Sequence, residues 1–120
     1  MNLPARPVLY GIPNCDTVRK ARGWLAERGI AYEFHDYKRQ GVPQPVLAGW
    51  VAALGWESLL NRRGPTWRKL DAARQAAVHD GASALALMVE QPSVIRRPVL
   101  VRGADLCVGF DADDWQRLLG

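Results

Sequence analysis

The chain has 120 residues, of which 48% are hydrophobic and 23% charged, a composition typical of a globular protein long enough to bury a core. Its formal net charge of +4 is mild, and this favours a solvated surface over an anion site or a weak nucleic-acid contact. No apolar run approaches the roughly 20 residues of a membrane span, and the first residues lack the apolar core of a signal peptide. We therefore expect a cytoplasmic protein that binds neither membranes nor, directly, nucleic acids.

Two cysteines, Cys15 and Cys107, are too few for a disulfide scaffold. The two histidines, His35 and His79, are far apart in the sequence and form no ligand cluster with the cysteines. We expect free thiols and no metal.

The first third of the chain predicts a strand, a helix and a second strand. The apolar run from Val8 to Ile12 reads as a short buried strand, and the helix runs from about Cys15 to Arg28. Gly29 supplies the helix stop, and residues 30–37 alternate as a strand does. Such a βαβ unit predicts two parallel strands joined by a right-handed crossover.

The middle of the chain is predicted to be a helical insert at about residues 43–92, and the last third returns to strands. A hairpin turns at Gly103, and a final helix begins after Asp111 as its N-cap. We expect one domain over residues 1–120. The insert is predicted to contain helices in 46–55, in 56–70 (a short helix that breaks at Gly64-Pro65), in 71–81 and in 82–92.

This order, β-α-β, a helical insert, then β-β-α, is the plan of an α/β thioredoxin-like fold with a four-stranded mixed sheet. In that fold the reactive cysteine stands at the start of the first helix, which is where Cys15 lies. Unpaired amides and the positive end of the helix dipole favour a thiolate there. The alternative is a small buried hydrophobic role, which we prefer for Cys107 but not for Cys15. Asn14 either helps to bind the thiolate or only caps the helix.

Pro98 precedes the third predicted strand. Thioredoxin-like folds place a cis-proline at this point, facing the active cysteine. An ordinary trans-proline at a strand start is the alternative, because only about 5–6% of X–Pro bonds are cis in folded proteins. The fold context favours the cis form.

Three motifs in this order resemble the arsenate reductase/Spx (ArsC) family, in particular its YffB-like branch: "YGIPNCDTVRKARGWL", "NRRGPTWRKL" and "IRRPVLV…LCVGF". The resemblance implies that Cys15 is the single nucleophile. Of the three arginines that hold the oxyanion in arsenate reductases, the first maps onto Arg62 or Arg63 and the second onto Arg97. The position of the third is Val108, so we doubt arsenate as the substrate. The Spx regulators carry C-x-x-C, whereas the fourth position of that motif is Val18 here.

The resemblance implies a glutathione-dependent thiol reductase that acts on thiol and disulfide substrates, with glutathione as co-substrate and no metal. The alternatives are a Spx-like regulator that docks on RNA polymerase, and an arsenate reductase. A protein partner stays open, and we expect a monomer. The expected roles are carboxylate binding by the arginines, strand-like pairing of a ligand peptide with the backbone of Val99, and a lining role for Trp67. The predicted site consists of Cys15 as catalytic residue and Asn14, Arg62, Arg63, Trp67, Arg97, Pro98 and Val99 as glutathione-binding residues.

Overall fold

The computed structural model describes residues 6–119. Residues 1–5 and 120 lie outside the described part, and so does most of the segment in which a signal peptide was sought. No helix within residues 6–119 has the length and apolar character needed to cross a bilayer. The elements, numbered in chain order, are β1 (Val8–Gly11), α1 (Asp16–Glu27), β2 (Glu33–Asp36), α2 (Tyr37–Gln40), α3 (Gln44–Leu54), α4 (Trp56–Leu59), α5 (Pro65–Arg68), α6 (Ala72–Ala76), α7 (Gly81–Glu90), β3 (Val99–Arg102), β4 (Asp105–Val108) and α8 (Ala112–Leu119), with a 3₁₀ turn at Pro92–Val94.

The four strands form one mixed sheet in the order β2-β1-β3-β4. Strand β1 runs parallel to β2 and antiparallel to β3, and β3 runs antiparallel to β4. Together with helix α1 between β1 and β2, this topology confirms the predicted thioredoxin-like fold. The contacts divide the chain into two compact units, the sheet unit (described residues 6–36 and 97–119) and the helical unit (residues 37–96). Each unit is described by itself below.

The core of the sheet unit lies where α1 and α8 pack against the strands. The inner face of α1 consists of Val18, Ala21, Trp24 and Leu25, which are all buried. Each large apolar side chain so buried contributes about 1.5–3 kcal/mol to stability. The cluster also includes Trp115 of α8, which is fully buried.

Helix α8 begins as predicted, at Asp111. The carboxylate of Asp111 accepts a hydrogen bond of 3.0 Å from the backbone N–H of Asp114, which satisfies one of the free amides at the helix start. The Asp111 carbonyl also accepts the N–H of Trp115 at 2.9 Å. The cap therefore fixes the turn of helix that carries Trp115 into the core.

Gly11 ends β1 where the strand passes closest to α1. A Cβ atom at this position would lie 2.8 Å from Cγ2 of Val18, a β-branched side chain that is itself fully buried. We expect Gly11→Ala to destabilise the protein by about 1–3 kcal/mol, because neither backbone nor side chain has room to move. Denaturant unfolding monitored by circular dichroism measures this change.

The matched control is Gly23→Ala, on the exposed side of α1. No neighbouring side chain of the described residues lies within 4 Å of a Cβ built there. Alanine in a helix interior is favoured over glycine, so this variant should gain about 0.5–1 kcal/mol. Equal effects of the two substitutions would contradict the close approach at Gly11.

The helical unit departs from the prediction between α4 and α5. The short helix expected to continue to Gly64 ends at Leu59, and Leu60 forms an isolated antiparallel bridge with Ile95. The flanking hydrogen bonds join Asn61 N–H to the Val94 carbonyl and Arg96 N–H to the Leu59 carbonyl, both at 2.7 Å. This pairing competes with the helix and replaces its last turns.

Further boundaries differ from the prediction, and the second strand begins at Glu33 where residue 30 was expected. The second strand was expected to include Tyr37, but it ends at Asp36, and Tyr37 opens α2 with its side chain buried. The Tyr37 hydroxyl donates a hydrogen bond of 3.0 Å to the carbonyl of Arg96, within the same unit. The helix expected over 71–81 is the shorter α6, and α7 starts at a capping box between Asp80 and Ser83.

Candidate functional site

Cys15 is the N-cap residue of α1. Its backbone is extended, with φ −101° and ψ 130°, and its carbonyl accepts the first helical hydrogen bond, from Arg19 N–H at 2.9 Å. The residue is half-buried, and its side chain makes no capping hydrogen bond to the described residues. The thiol of Cys15 is therefore at the start of the helix without being used as a structural cap.

The loop before Cys15 is a tight turn. Cys15 N–H donates a hydrogen bond of 3.3 Å to the Ile12 carbonyl, which closes the turn over Pro13 and Asn14. Both residues of the turn are exposed. Asn14, a predicted binding residue, thus lies next to the thiol in sequence and is open to solvent.

The Arg97–Pro98 peptide bond is cis, as the fold context favoured. Strand β3 pairs with β1 so that Val99 faces Tyr10, and continuing this antiparallel register by one residue sets Pro98 opposite Gly11. Pro98 therefore lies at the end of the sheet from which the chain turns through the loop to Cys15. The Pro98 carbonyl is held by Gly109 N–H at 2.8 Å.

The two adjacent arginines before Pro98 differ in burial. Arg96 is exposed, whereas Arg97 is half-buried and its Nε atom is buried. Arg97 belongs to the sheet unit together with Cys15 and Pro98. Of the two, Arg97 is thus the guanidinium in a partly desolvated setting, where an ion pair is worth more than at the surface.

Val99 lies inside the sheet, with its side chain fully buried. It pairs with Tyr10 on one side and with Val108 on the other. A ligand peptide finds no open edge at a residue that has a strand on each side, so we do not retain for Val99 the role of pairing with an added strand.

Apolar side chains occupy the two positions at which the family motifs call for a different residue. Val18, in place of a second cysteine, is fully buried on the inner side of α1. Val108, in place of the third arginine, is half-buried on β4. Both cysteines of the chain are free thiols.

The structure places the other three predicted binding residues in the helical unit. Arg62 and Arg63 are exposed, and Trp67 on α5 is half-buried. The Arg62 guanidinium lies 5.8 Å from the ring centre of Trp67 and 5.4 Å from that of Trp56. Trp56 was not among the predicted site residues. That one of the two arginines faces Cys15 stays a prediction.

Within residues 6–119 there is no group of three or more histidine, cysteine, aspartate or glutamate side chains placed to hold a metal ion.

The second cysteine, Cys107, is half-buried on β4 and packs against the core cluster of the sheet unit. Burial, together with the negative charge of Asp114, raises the pKa of the Cys107 thiol above its ordinary value of 9.0. We expect iodoacetamide at neutral pH to alkylate Cys15 in the native protein and Cys107 far more slowly, because the thiolate is the reactive form. Intact-mass spectra of the Cys15→Ser and Cys107→Ala variants assign each adduct.

The pH dependence of that reaction follows from the raised pKa. Because the pKa of Cys107 is raised in the native protein, its alkylation rate should rise at a higher pH in the native protein than in the unfolded protein, where the pKa returns to its ordinary value. Equal labelling of both cysteines in the native protein at neutral pH would contradict the packing of Cys107.

A half-buried cysteine thus caps the first helix of a thioredoxin-like fold, and a cis-proline lies at the end of the sheet from which the chain turns toward that cysteine. The profile of the ArsC family matches residues 10–118. The chain belongs to the ArsC family.

Two solved structures and two curated proteins resemble the chain over most of its length. A protein named YFFB is 50% identical, with a TM-score of 0.90 and coverage of 95% of this chain and 99% of that one. An arsenate reductase (ArsC) related protein from Brucella melitensis is 46% identical, with a TM-score of 0.72 and coverage of 94% and 93%. An uncharacterized protein of Haemophilus influenzae is 37% identical, covering 90% of this chain and 94% of its own. The global transcriptional regulator Spx of Enterococcus faecalis is 30% identical, covering 92% and 84%.

Proposed function

We propose that the protein is a glutathione-dependent thiol reductase with Cys15 as its nucleophile. The observation that carries this proposal is the cap position of Cys15 combined with Val18. The thiol stands at the start of α1, and the position of a second cysteine is filled by a buried valine. A lone thiolate of this kind needs a resolving thiol from outside the chain, and glutathione is the small thiol that also carries carboxylates for nearby cations to bind.

The proposed reaction takes place in two exchange steps. The Cys15 thiolate attacks the glutathionyl sulfur of a mixed disulfide, which forms a Cys15–glutathione disulfide and releases the substrate sulfur as a thiolate that takes up a proton. The thiolate of a second glutathione then attacks the glutathionyl sulfur of the adduct. This step forms oxidised glutathione and returns Cys15 as a thiolate, so that each mixed disulfide is reduced at the expense of one free glutathione thiol.

Arg97 is the residue we assign to a glutathione carboxylate. Its half-buried guanidinium immediately precedes the cis-proline, and a planar guanidinium can hold a carboxylate through two parallel hydrogen bonds. The family resemblance adds Arg62 or Arg63 as a second cation, and Trp67 and Asn14 as lining residues. Single alanine variants of the two helical-unit arginines distinguish between them.

A titration of isotope-labelled protein with glutathione tests the proposal. We use the Cys15→Ser variant, so that the shifts report non-covalent binding. Amides around residues 12–19 and at Arg97 and Val99 should move, and those of the last turn of α1 should not. If no amide near Cys15 and Pro98 moves, the protein does not bind glutathione at this site and the docking alternative becomes the better explanation.

Docking without catalysis is the second candidate, because a regulator named Spx is 30% identical over nearly the whole chain. A Spx-like role would place the chain on RNA polymerase. The absence of a second cysteine at Val18 argues against a version that is switched by a local disulfide.

Arsenate reduction is the third candidate, and we expect it to be negligible. Valine at position 108 cannot supply a cationic, two-pronged anchor for a tetrahedral oxyanion. A coupled assay with glutathione and arsenate should give no turnover above background, and Val108→Arg should raise it. Robust turnover by the unmodified protein would show that two arginines suffice.

A further inference from the structure

The charge of the chain is divided unevenly between its two units. Residues 37–96 contain eight lysines and arginines against four acidic residues, and the rest of the chain contains eight of each. The whole formal charge of +4 therefore comes from the helical unit. Summed charge of this kind attracts partners of opposite sign over distances of about 10 Å at ordinary ionic strength.

Half of the cations of the helical unit lie in one segment, the loop before α5 and α5 itself. The segment from Ser58 to Leu70 contains no acidic residue. Within the described residues its cations form no ion pair, and all of them are exposed. Several arginines elsewhere in the chain do have acidic partners, as Arg19 has Asp16 and Arg74 has Glu90. The four cations of the segment are Arg62, Arg63, Arg68 and Lys69.

One of these cations, Lys69, lines a cavity of about 320 Å³ together with Thr66, Leu70 and Gln91. Thr66 and Lys69 belong to α5 and its C-terminal cap, and Gln91 is the residue that ends α7. The backbone of Gln91 is fully used, since its N–H donates to the Leu87 carbonyl at 2.7 Å and its carbonyl accepts from Val94 at 3.0 Å.

The three polar side chains of this cavity have hydrogen-bonding groups to spare. Thr66, Lys69 and Gln91 make no side-chain hydrogen bond or ion pair to any residue in the described part of the chain. A hydroxyl, an ammonium and a carboxamide all donate hydrogen bonds, and Leu70 adds an apolar surface. The cavity thus combines donors for an anionic oxygen with room for methylene groups.

We propose that this surface, the α5 cavity together with the exposed Arg68 that precedes Lys69 in the chain, binds an acidic segment of a partner protein. A glutamate side chain matches the cavity in chemistry. Its methylenes pack on Leu70, and its carboxylate accepts hydrogen bonds from Lys69 and Thr66. Further carboxylates of the same segment pair with Arg68. A row of phosphates would make little use of the apolar floor, so the lining favours an acidic peptide over nucleic acid.

The test uses the full-length Cys15→Ser protein, so that it is independent of any thiol exchange. A fluorescein-labelled peptide of alternating glutamate and glycine is titrated at low salt and followed by anisotropy, with the glutamine–glycine peptide as the neutral comparison. The glutamate peptide should bind, the glutamine peptide should not, and binding should weaken as salt rises. Amide shifts should centre on Thr66, Lys69 and Gln91.

Lys69→Gln should lower the affinity for the glutamate peptide by about fivefold, which corresponds to the loss of one favourable ion pair. The matched control is Lys20→Gln, which removes the same charge from an exposed position on α1 and should leave binding within twofold or so. Failure of the glutamate peptide to bind, equal binding of the glutamine peptide, or an equal effect of Lys20→Gln each overturns the proposal. So does tighter binding of single-stranded oligothymidylate to the same amides, which would assign the surface to nucleic acid.

Discussion

Replacing Cys15 with serine should lower the rate at which the protein reduces a glutathionylated peptide by about a thousandfold or more. The hydroxyl of serine is not ionised at neutral pH and cannot form a disulfide, so neither exchange step can begin. The fold should tolerate the change, because Cys15 caps α1 through its backbone and not through its side chain. Turnover is measured as oxidised glutathione formed, and the unfolding free energy is measured beside it.

Cys107→Ala is the matched control for the same assay. This cysteine packs against the core of the sheet unit and lies on β4, away from any helix start. Its replacement should cost stability but leave turnover per folded molecule unchanged. Intact-mass spectra after treatment with oxidised glutathione should show one adduct, lost in Cys15→Ser and retained in Cys107→Ala. An adduct that persists in Cys15→Ser would contradict the assignment of the nucleophile.

The sheet and its first helix follow from local signals in the sequence. The spacing of the apolar residues from Val18 to Leu25 sets the inner face of α1, and Gly29, with φ 64°, ends it. Alternating short apolar runs give the strands, and the cap position of Cys15 follows from the same helix boundary. These features depend on near neighbours, which is why they were predictable.

The boundaries that were wrong depend on distant residues. Leu60 leaves its helix because its backbone pairs with Ile95, and Tyr37 turns inward because its hydroxyl reaches the Arg96 carbonyl. The local sequence around Leu60 gives no indication of Ile95, and the sequence around Tyr37 gives no indication of Arg96. Tertiary hydrogen bonds to residues 94–96 therefore override the local propensity of the segments around Leu60 and Tyr37.

The candidate site divides in the same way. Cys15 and the cis-proline were predictable from their places in the chain, because the fold fixes both. The stacking of Arg62 near Trp56, and the meeting of Lys69 with Gln91 at one cavity, depend on how the helical unit packs. The sequence shows that these cations are present but gives no indication of which aromatic or polar groups lie beside them.

The second large effect is expected at Arg97. Arg97→Ala should weaken glutathione binding by about 1–3 kcal/mol, since it removes a charged hydrogen-bonding partner from a half-buried position. This corresponds to a loss of about 5- to 150-fold in affinity, measured by titration calorimetry on the Cys15→Ser background. Arg97→Lys should recover only part of the loss, because an ammonium cannot make the two parallel hydrogen bonds of a guanidinium.

Arg96→Ala is a matched control, because it removes the same type of side chain from the residue directly before Arg97. Arg96 is exposed, and the contact it makes with Tyr37 uses its backbone carbonyl, which alanine keeps. Its loss should change glutathione affinity by less than about twofold. Raising the salt concentration should reduce the difference between the wild-type protein and Arg97→Ala only in part, since a partly desolvated pair is screened less than a surface pair. If Arg96→Ala weakens binding as much as Arg97→Ala does, the two arginines act through general charge, and the assignment of a carboxylate to Arg97 is wrong.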